Sequence, residues 1–135
     1  MQALGDNSIM KNINPPISKI VIYTKDVEKM TDFYVKHFGF KSHQEEGDRI
    51  VELISPNGGL SLMLHKAAKT AKEGQNCVKL VFDVKDVETF KATCAMNGLK
   101  FGPIHMANGY VYSNAKDPSK NSIQISSRAF RNQSA

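Results

Sequence analysis

Two lysines at equivalent positions of an internal repeat are the residues that first suggest chemistry. Residues 19–28 and 79–88 are identical at six of ten positions, and each segment begins with lysine. A lysine ammonium has three hydrogen-bond donors and no lone pair, so it cannot ligate a metal while it is charged. Lys19 and Lys79 therefore predict a pocket for a carboxylate, phosphate or sulfate.

Strand alternation leaves several arrangements of these lysines open. It places Tyr23 on the same face as Lys19, and Asp83 on the same face as Lys79. Three arrangements fit this pattern. The lysines line a cavity, they extend from the strand starts into solvent, or one of them forms an ion pair with Asp83. A lysine enclosed without a partner could also act as a base.

The histidines are further candidates for acid–base work. Ser61, Met63 and His65 share one face of a strand by period-two spacing, so His65 could line a pocket or act as a general base. A metal site made by His65 and His105 would need a carboxylate, and no His-x-His or His-x₃-His spacing supports it. His37, among charged neighbours, is expected to face solvent.

Aromatic side chains could provide a surface on which a planar ligand stacks. Tyr110 and Tyr112 alternate with Val111 and therefore share a face. Together with Tyr23 and Met63 they could line an apolar pocket, although ordinary core packing explains the same spacing.

The elements that must position these residues follow the same order in both halves of the chain. Asp26 and Asp86 are predicted helix N-caps, and Gly39 and Asn97-Gly98 are predicted helix ends. β-Branched and alternating runs predict strands at 17–24, 40–44, 49–54 and 60–65, then at 78–84, 100–104, 110–115 and 122–126. Each half is therefore predicted to be βαβββ.

Composition and turn residues give the organisation of the chain. The 135 residues are 41% hydrophobic and 23% charged, which suits one globular unit built from two half-domains. The predicted parts are a flexible leader at 1–16, a first module at 17–66, a linker at 67–76, a second module at 77–127 and a frayed polar tail at 128–135. No apolar run is long enough to span a bilayer, and two cysteines suggest free thiols in the cytoplasm.

Three stretches resemble the vicinal oxygen chelate superfamily, which includes glyoxalase I, extradiol dioxygenases and bleomycin-resistance proteins. They are the twice-used strand–Lys-Asp-Val-Glu–helix opening, Asp32-Phe33-Tyr34 with Phe38-Gly39-Phe40, and the ending at 117–125. The resemblance covers about residues 17–126. It implies an α+β fold in which two βαβββ modules form an incomplete β-barrel around a cavity, often shared between the subunits of a dimer.

Metal-dependent members of that superfamily hold a divalent ion with residues from the first and last strands of each module. Carried over by resemblance, these positions fall on Lys19 and Ser61, and on Lys79 and Gln124. Lysine, serine and glutamine are poor ligands for Zn²⁺, Fe²⁺ or Mn²⁺. The resemblance therefore implies a member that lacks the metal site and needs no cofactor.

These inferences predict a metal-independent protein that binds or sequesters a small molecule as a cytoplasmic homodimer. The net charge of +5 favours an anionic or aromatic ligand, and the scattered basic residues argue against nucleic acid. Two alternatives stay open: a metal-free lyase- or isomerase-like enzyme that uses Lys19, Lys79 or His65, and a structural or regulatory dimer. The predicted ligand-binding residues are Lys19, Tyr23, Ser61, Met63, His65, Lys79, Tyr110, Tyr112 and Gln124.

Overall fold

The computed structural model describes residues 16–131, which form two modules with the same order of elements. The first module contains β1 (Lys19–Thr24), α1 (Val27–Phe38), β2 (Lys41–His43), β3 (Val51–Ile54) and β4 (Ser61–Lys66). The second contains β5 (Lys79–Asp83), α2 (Val87–Met96), β6 (His105–Met106), β7 (Val111–Lys116) and β8 (Ser122–Ser126). The predicted leader lies outside the described residues, apart from its last position.

The strands of each module form a four-stranded mixed sheet. The order is β1-β4-β3-β2 in the first sheet and β5-β8-β7-β6 in the second. The first strand of each module pairs in parallel with the last strand, and the remaining pairs are antiparallel. The predicted α+β class with two βαβββ modules is therefore confirmed.

The second predicted strand of the second half is displaced along the chain. We expected it at Lys100–Ile104, whereas β6 contains only His105 and Met106. The side chain of Phe101 is buried in the core, and the Gly102 carbonyl accepts hydrogen bonds from Lys91 and Ser113. Pro103 has no N–H to donate, so regular pairing with β7 begins only after it.

Both helices begin and end where the sequence predicts. The carboxylate of Asp26 accepts a hydrogen bond of 3.0 Å from the backbone of Lys29, and Asp86 accepts one of 3.0 Å from Thr89. These caps satisfy free N–H groups of the first helical turn. Gly39 ends α1 with φ of 71°, a left-handed conformation that favours glycine.

The two modules share one hydrophobic core. Phe38, at the end of α1, stacks on Phe82 of β5 with ring centroids 3.9 Å apart. Tyr34 is fully buried, and its hydroxyl donates a 2.7 Å hydrogen bond to Asp117 in the turn before β8. One face of each sheet thus contributes, together with α1 and α2, to this single core.

The predicted linker at 67–76 is held between the modules by its own contacts. The Glu73 carboxylate accepts a 3.0 Å hydrogen bond from the backbone of Lys25, which lowers the pKa of Glu73. Asn76 donates a 3.0 Å hydrogen bond to Asn121. Gly74 has φ of +82°, and a Cβ there would lie 2.7 Å from that of Lys120, so only glycine fits this approach.

A polar cluster around Asp117 joins the modules beside this linker. Asp117 is 4% exposed and accepts hydrogen bonds from Tyr34, from the backbone of Ser119, and from the backbone and side chain of Asn121. The hydroxyls of Ser119 and Thr24 lie 2.7 Å apart and share a further buried hydrogen bond. We refer to these five residues as the polar clasp.

The buried phenol of the clasp predicts a stability loss in alkali. Burial, the charge of Asp117 and the hydrogen bond to it raise the pKa of Tyr34 well above its usual 10.0. Tyr34 therefore keeps its proton in the folded chain, while in the unfolded chain it ionises near pH 10. Its contribution to stability is complete below that pH and should fall above it by up to about 1.4 kcal/mol per pH unit.

Urea unfolding of wild type and Tyr34→Phe measures this effect. We expect the variant to be less stable by about 1–2 kcal/mol at neutral pH, because one buried hydrogen bond is lost. The difference between the two proteins should shrink above about pH 10, since only wild type loses the Tyr34 contribution. A difference that stays constant with pH would exclude this explanation.

Candidate functional site

Five of the predicted ligand-binding residues lie on one face of the first sheet. Lys19 is opposite Ser61 in the strand register, Val21 is opposite Met63, and Tyr23 is opposite His65. The rings of Tyr23 and His65 have centroids 5.1 Å apart, and Tyr23 is 61% exposed. This face points away from the helices and is open to solvent in the single chain.

Two of these five side chains already have partners within the first module. The hydroxyl of Ser61 accepts a 3.2 Å hydrogen bond from the backbone of Ser55 and so stabilises the turn before β4. The Nδ1 atom of His65 lies 3.1 Å from the carbonyl oxygen of Lys66. The first sheet therefore offers Lys19, Tyr23 and Met63 as its less engaged side chains.

The second sheet brings polar side chains together more closely. The Lys79 ammonium donates a 3.1 Å hydrogen bond to the side-chain oxygen of Asn114, and the Gln124 amide donates a 2.9 Å bond to the same atom. Asn114 thus holds Lys79 and Gln124 beside each other on the open face. Lys79 uses one of its three donors in this contact, and an anion could take the others.

Aromatic and cationic groups continue the same face toward the other end of β7. Tyr110 and Tyr112 have ring centroids 6.0 Å apart, and His105 lies 5.2 Å from Tyr112. The guanidinium of Arg128 lies 5.2 Å from the Tyr110 ring and donates a 3.1 Å hydrogen bond to its hydroxyl. We call the surface made by Lys79, Tyr110, Tyr112, Asn114, Gln124 and Arg128 the basic face.

Further positive charge borders the basic face. The Lys116 ammonium donates a 2.8 Å hydrogen bond to Ser122, next to Lys79 in the register of the sheet. Arg131 lies 5.9 Å from the Tyr110 ring.

The sequence left open an ion pair of Asp83 with Lys19 or Lys79. No such pair occurs within residues 16–131.

The strand registers correct one equivalence between the repeats. Lys19 pairs with Ser61 as Lys79 pairs with Ser122, and Val21 pairs with Met63 as Val81 pairs with Gln124. The counterpart of Gln124 in the first module is therefore Met63, and the expected assignment to Ser61 is wrong by two residues. The local sequence allowed both assignments, because apolar residues flank Ser61 and Met63 alike.

The lysines of the two repeats do not meet within one chain. Lys19 and Lys79 are both exposed and lie on different sheets. In the described part of the chain, no hydrogen bond joins the side chains on the exposed face of the first sheet to those of the basic face. A shared pocket for both lysines therefore stays a prediction. The described cavities of about 360 and 640 Å³ lie between the modules, and they contain Tyr23 and Lys79, respectively, among their lining residues.

The sequence analysis missed or misplaced three residues of interest. Asn114 follows Tyr112 by two positions, and that spacing alone would have placed it on the basic face. Arg128 lies in the predicted frayed tail, but residues Arg128–Phe130 form a 3₁₀ helix that brings it to Tyr110. His37 was expected to face solvent, whereas it lines the larger cavity and its Nδ1 atom is buried.

The two cysteines are free thiols, as the sequence predicts. Cys77 is exposed and Cys94 is buried, and burial raises the pKa of the Cys94 thiol.

No group of three or more His, Cys, Asp or Glu side chains positioned to hold a metal ion occurs between residues 16 and 131. The same region has no helix that is long and apolar enough to cross a membrane.

Comparison with known proteins identifies relatives of this fold. The family model of the Glyoxalase/Bleomycin resistance protein/Dioxygenase superfamily matches residues 17–125. A comparison with curated protein sequences found no match. The structural relatives include TnmS3, an antibiotic binding protein from Streptomyces sp. CB03234, with 21% identity over 82% of this chain and 93% of that chain and a TM-score of 0.68.

Two other solved structures illustrate the range of similar proteins. A superfamily member from Sphaerobacter thermophilus has 22% identity, a TM-score of 0.70, and coverage of 84% of this chain and 98% of its own. A lactoylglutathione lyase from Agrobacterium tumefaciens has 19% identity, a TM-score of 0.64, and coverage of 83% and 94%. At these identities the similarity shows the fold alone.

Proposed function

We propose, on the premise that the chain belongs to the Glyoxalase/Bleomycin resistance protein/Dioxygenase superfamily, that it binds an anionic aromatic small molecule without a metal ion. The name of one structural relative, an antibiotic binding protein, is consistent with small-molecule binding on this fold. The residues of the basic face determine the chemical class that we propose for the ligand.

The single observation that carries the proposal is the continuity of the basic face. Lys79, held by Asn114 beside Gln124, supplies donors for a carboxylate or sulfonate. On the same face, Tyr110 and Tyr112 supply rings against which a planar group can pack. One ligand with an aromatic ring and an anionic group would therefore satisfy both halves of this surface.

A second copy of the chain is part of the proposal. Val21 is 46% exposed, Tyr23 61% and Val81 52%, although all three lie at the middle or end of strands on the open faces. Apolar groups at such positions are usually covered. We propose that a homodimer covers the open faces and encloses the ligand, with Lys19 and His65 at the wall opposite the basic face.

Metal independence follows from the donors at the four relevant positions. With the register taken into account, these are Lys19, Met63, Lys79 and Gln124. Ammonium groups repel a cation, and neither a thioether nor an amide is a good ligand for Zn²⁺ or Mn²⁺. The ammonium groups of Lys19 and Lys79 suit an anion, so the protein itself provides the positive charge that would bind the ligand.

Thermal unfolding in the presence of 2-naphthoate tests the proposed function. We expect the wild type to be stabilised increasingly as the ligand concentration rises above Kd, by about 2.7 kcal/mol at a ligand concentration of a hundred times Kd. Acetate, which lacks the ring, should have little effect at the same concentrations. Tyr112→Ala should weaken the response, because it removes one ring of the stacking surface. Equal responses of wild type and Tyr112→Ala, or none to 2-naphthoate, would contradict the proposal.

A further inference from the structure

The larger cavity lies between the modules, on the side of the junction away from the polar clasp. It has a volume of about 640 Å³ and is bounded by β5, the end of α1, Phe90 of α2 and the turn at residues 55–60. Small-molecule sites in proteins commonly have volumes of about 300–1,000 Å³. We refer to this cavity as the aromatic cleft, because four phenylalanines line it: Phe38, Phe40, Phe82 and Phe90.

The aromatic cleft exists because the repeat is not symmetrical at the module junction. On the clasp side, the Tyr34 hydroxyl reaches Asp117, and Thr24 reaches Ser119. In the repeat, the counterpart of Tyr34 is Cys94 and that of Thr24 is Val84. Neither side chain can reproduce the hydrogen bonds of the clasp.

The opposing turn shows the same loss of polar groups. The β4 and β8 registers make Pro56 the counterpart of Asp117, and Gly58 the counterpart of Ser119. The turn at residues 55–60 therefore has no carboxylate at the place where the clasp has Asp117. The modules remain apart on this side, and the cavity occupies the space that the clasp fills on the other.

His37 gives the aromatic cleft a polar group. The ring packs edge-on against Phe33 at 4.9 Å, and His37 also contributes to the cavity wall. Its Nδ1 atom is buried and has no hydrogen-bond partner within residues 16–131. The Nε2 atom of the ring is not among the buried atoms, so it is the ring nitrogen that the hydroxyl of a bound molecule can reach.

The charge of the cleft favours a neutral ligand. Burial, with a smaller contribution from Lys36, lowers the pKa of His37, so the imidazole is neutral at physiological pH. The other charged groups on the wall are Lys79 and Asp83, which have opposite signs. A neutral imidazole can accept a hydrogen bond from a hydroxyl or donate one to it.

We propose that the aromatic cleft is a second ligand site, which shares only Lys79 with the basic face, and that it binds a planar aromatic molecule with one neutral hydroxyl group. The ring of the ligand packs against the phenylalanines, and its hydroxyl hydrogen-bonds to the His37 imidazole. A phenol or naphthol has this chemistry. An aromatic carboxylate does not, because the wall offers no net positive charge to an anion.

Titration of ¹⁵N-labelled protein with 2-naphthol locates the site without any substitution. We expect saturable shifts of backbone signals at Gly58, Gly59, Val84 and Phe90, which border the cleft. Shifts centred on Tyr110, or no saturable shift at all, would overturn the proposal. The 2-naphthoate experiment probes the basic face, so either proposal can fail while the other holds.

The His37→Phe variant tests the hydrogen bond to the ligand. It keeps an aromatic ring at a half-buried position, so it should fold, and it should bind 2-naphthol about fivefold to tenfold more weakly. Binding of naphthalene, which has no hydroxyl, should be unchanged or tighter. His43→Phe is the matched control, because His43 is exposed on β2 and lies outside the cleft, and it should bind 2-naphthol like wild type. An unchanged naphthol-to-naphthalene ratio in His37→Phe would refute the role of His37.

Discussion

Asp117→Ala is expected to lower the free energy of unfolding by about 3–5 kcal/mol, the range for breaking a buried charged network. Asp117 accepts four hydrogen bonds while only 4% exposed. Its removal leaves the Tyr34 hydroxyl and two backbone N–H groups buried without an acceptor. Because these groups belong to both modules, the loss weakens the junction as well as the turn before β8.

Urea unfolding followed by circular dichroism measures this effect. Asp32→Ala is the matched control, because Asp32 is exposed on α1, and we expect its stability to stay within about 0.5 kcal/mol of wild type. Tyr34→Phe removes one of the four donors and should cost less than Asp117→Ala. A loss for Asp117→Ala similar to that of Asp32→Ala would show that the polar clasp does not hold the modules together.

Lys79→Met is expected to weaken 2-naphthoate binding by about tenfold to a hundredfold, the range for losing one hydrogen bond to a charged group. The substitution keeps a long, flexible side chain and removes its charge. Gln124 and Asn114 keep their 2.9 Å hydrogen bond to each other, so the strands of the basic face should stay in place. Isothermal titration calorimetry gives the two dissociation constants directly.

Lys85→Met is the matched control for this loss of charge. Lys85 belongs to the same repeat segment and is exposed after β5, and its side chain makes no hydrogen bond to the basic face in the described part of the chain. It changes the net charge as Lys79→Met does, but it removes no predicted ligand contact. Equal weakening by both variants would mean that only the overall charge of the protein attracts the ligand.

The repeat explains why much of the fold could be predicted. Two similar segments, each followed by an Asp-capped helix, require two similar modules, and the observed sheets have the same order of strands. The strand expected at residues 100–104 was misplaced, because sequence pattern does not show that Phe101 turns into the core. Tertiary burial there prevails over the local preference for a strand.

The candidate site was less predictable, because its contacts join residues that are distant in sequence. Lys79 and Asn114 are 35 residues apart, and only the register of β5, β8 and β7 brings them together. The assignment of Ser61 as the counterpart of Gln124 failed for a related reason. The local pattern allows two alignments of β4 with β8, and the pairing of β4 with β1 selects one of them. His37 was missed because burial at a module junction depends on packing between elements.

The most direct test of metal-independent binding is a calorimetric titration of 2-naphthoate into wild type, with and without EDTA. We predict one molecule bound per chain with the same dissociation constant in both conditions, because Lys79 and its neighbours provide the charge. Addition of Zn²⁺ or Mn²⁺ should not strengthen binding. Binding that disappears in EDTA and returns with one of these ions would contradict the proposed function.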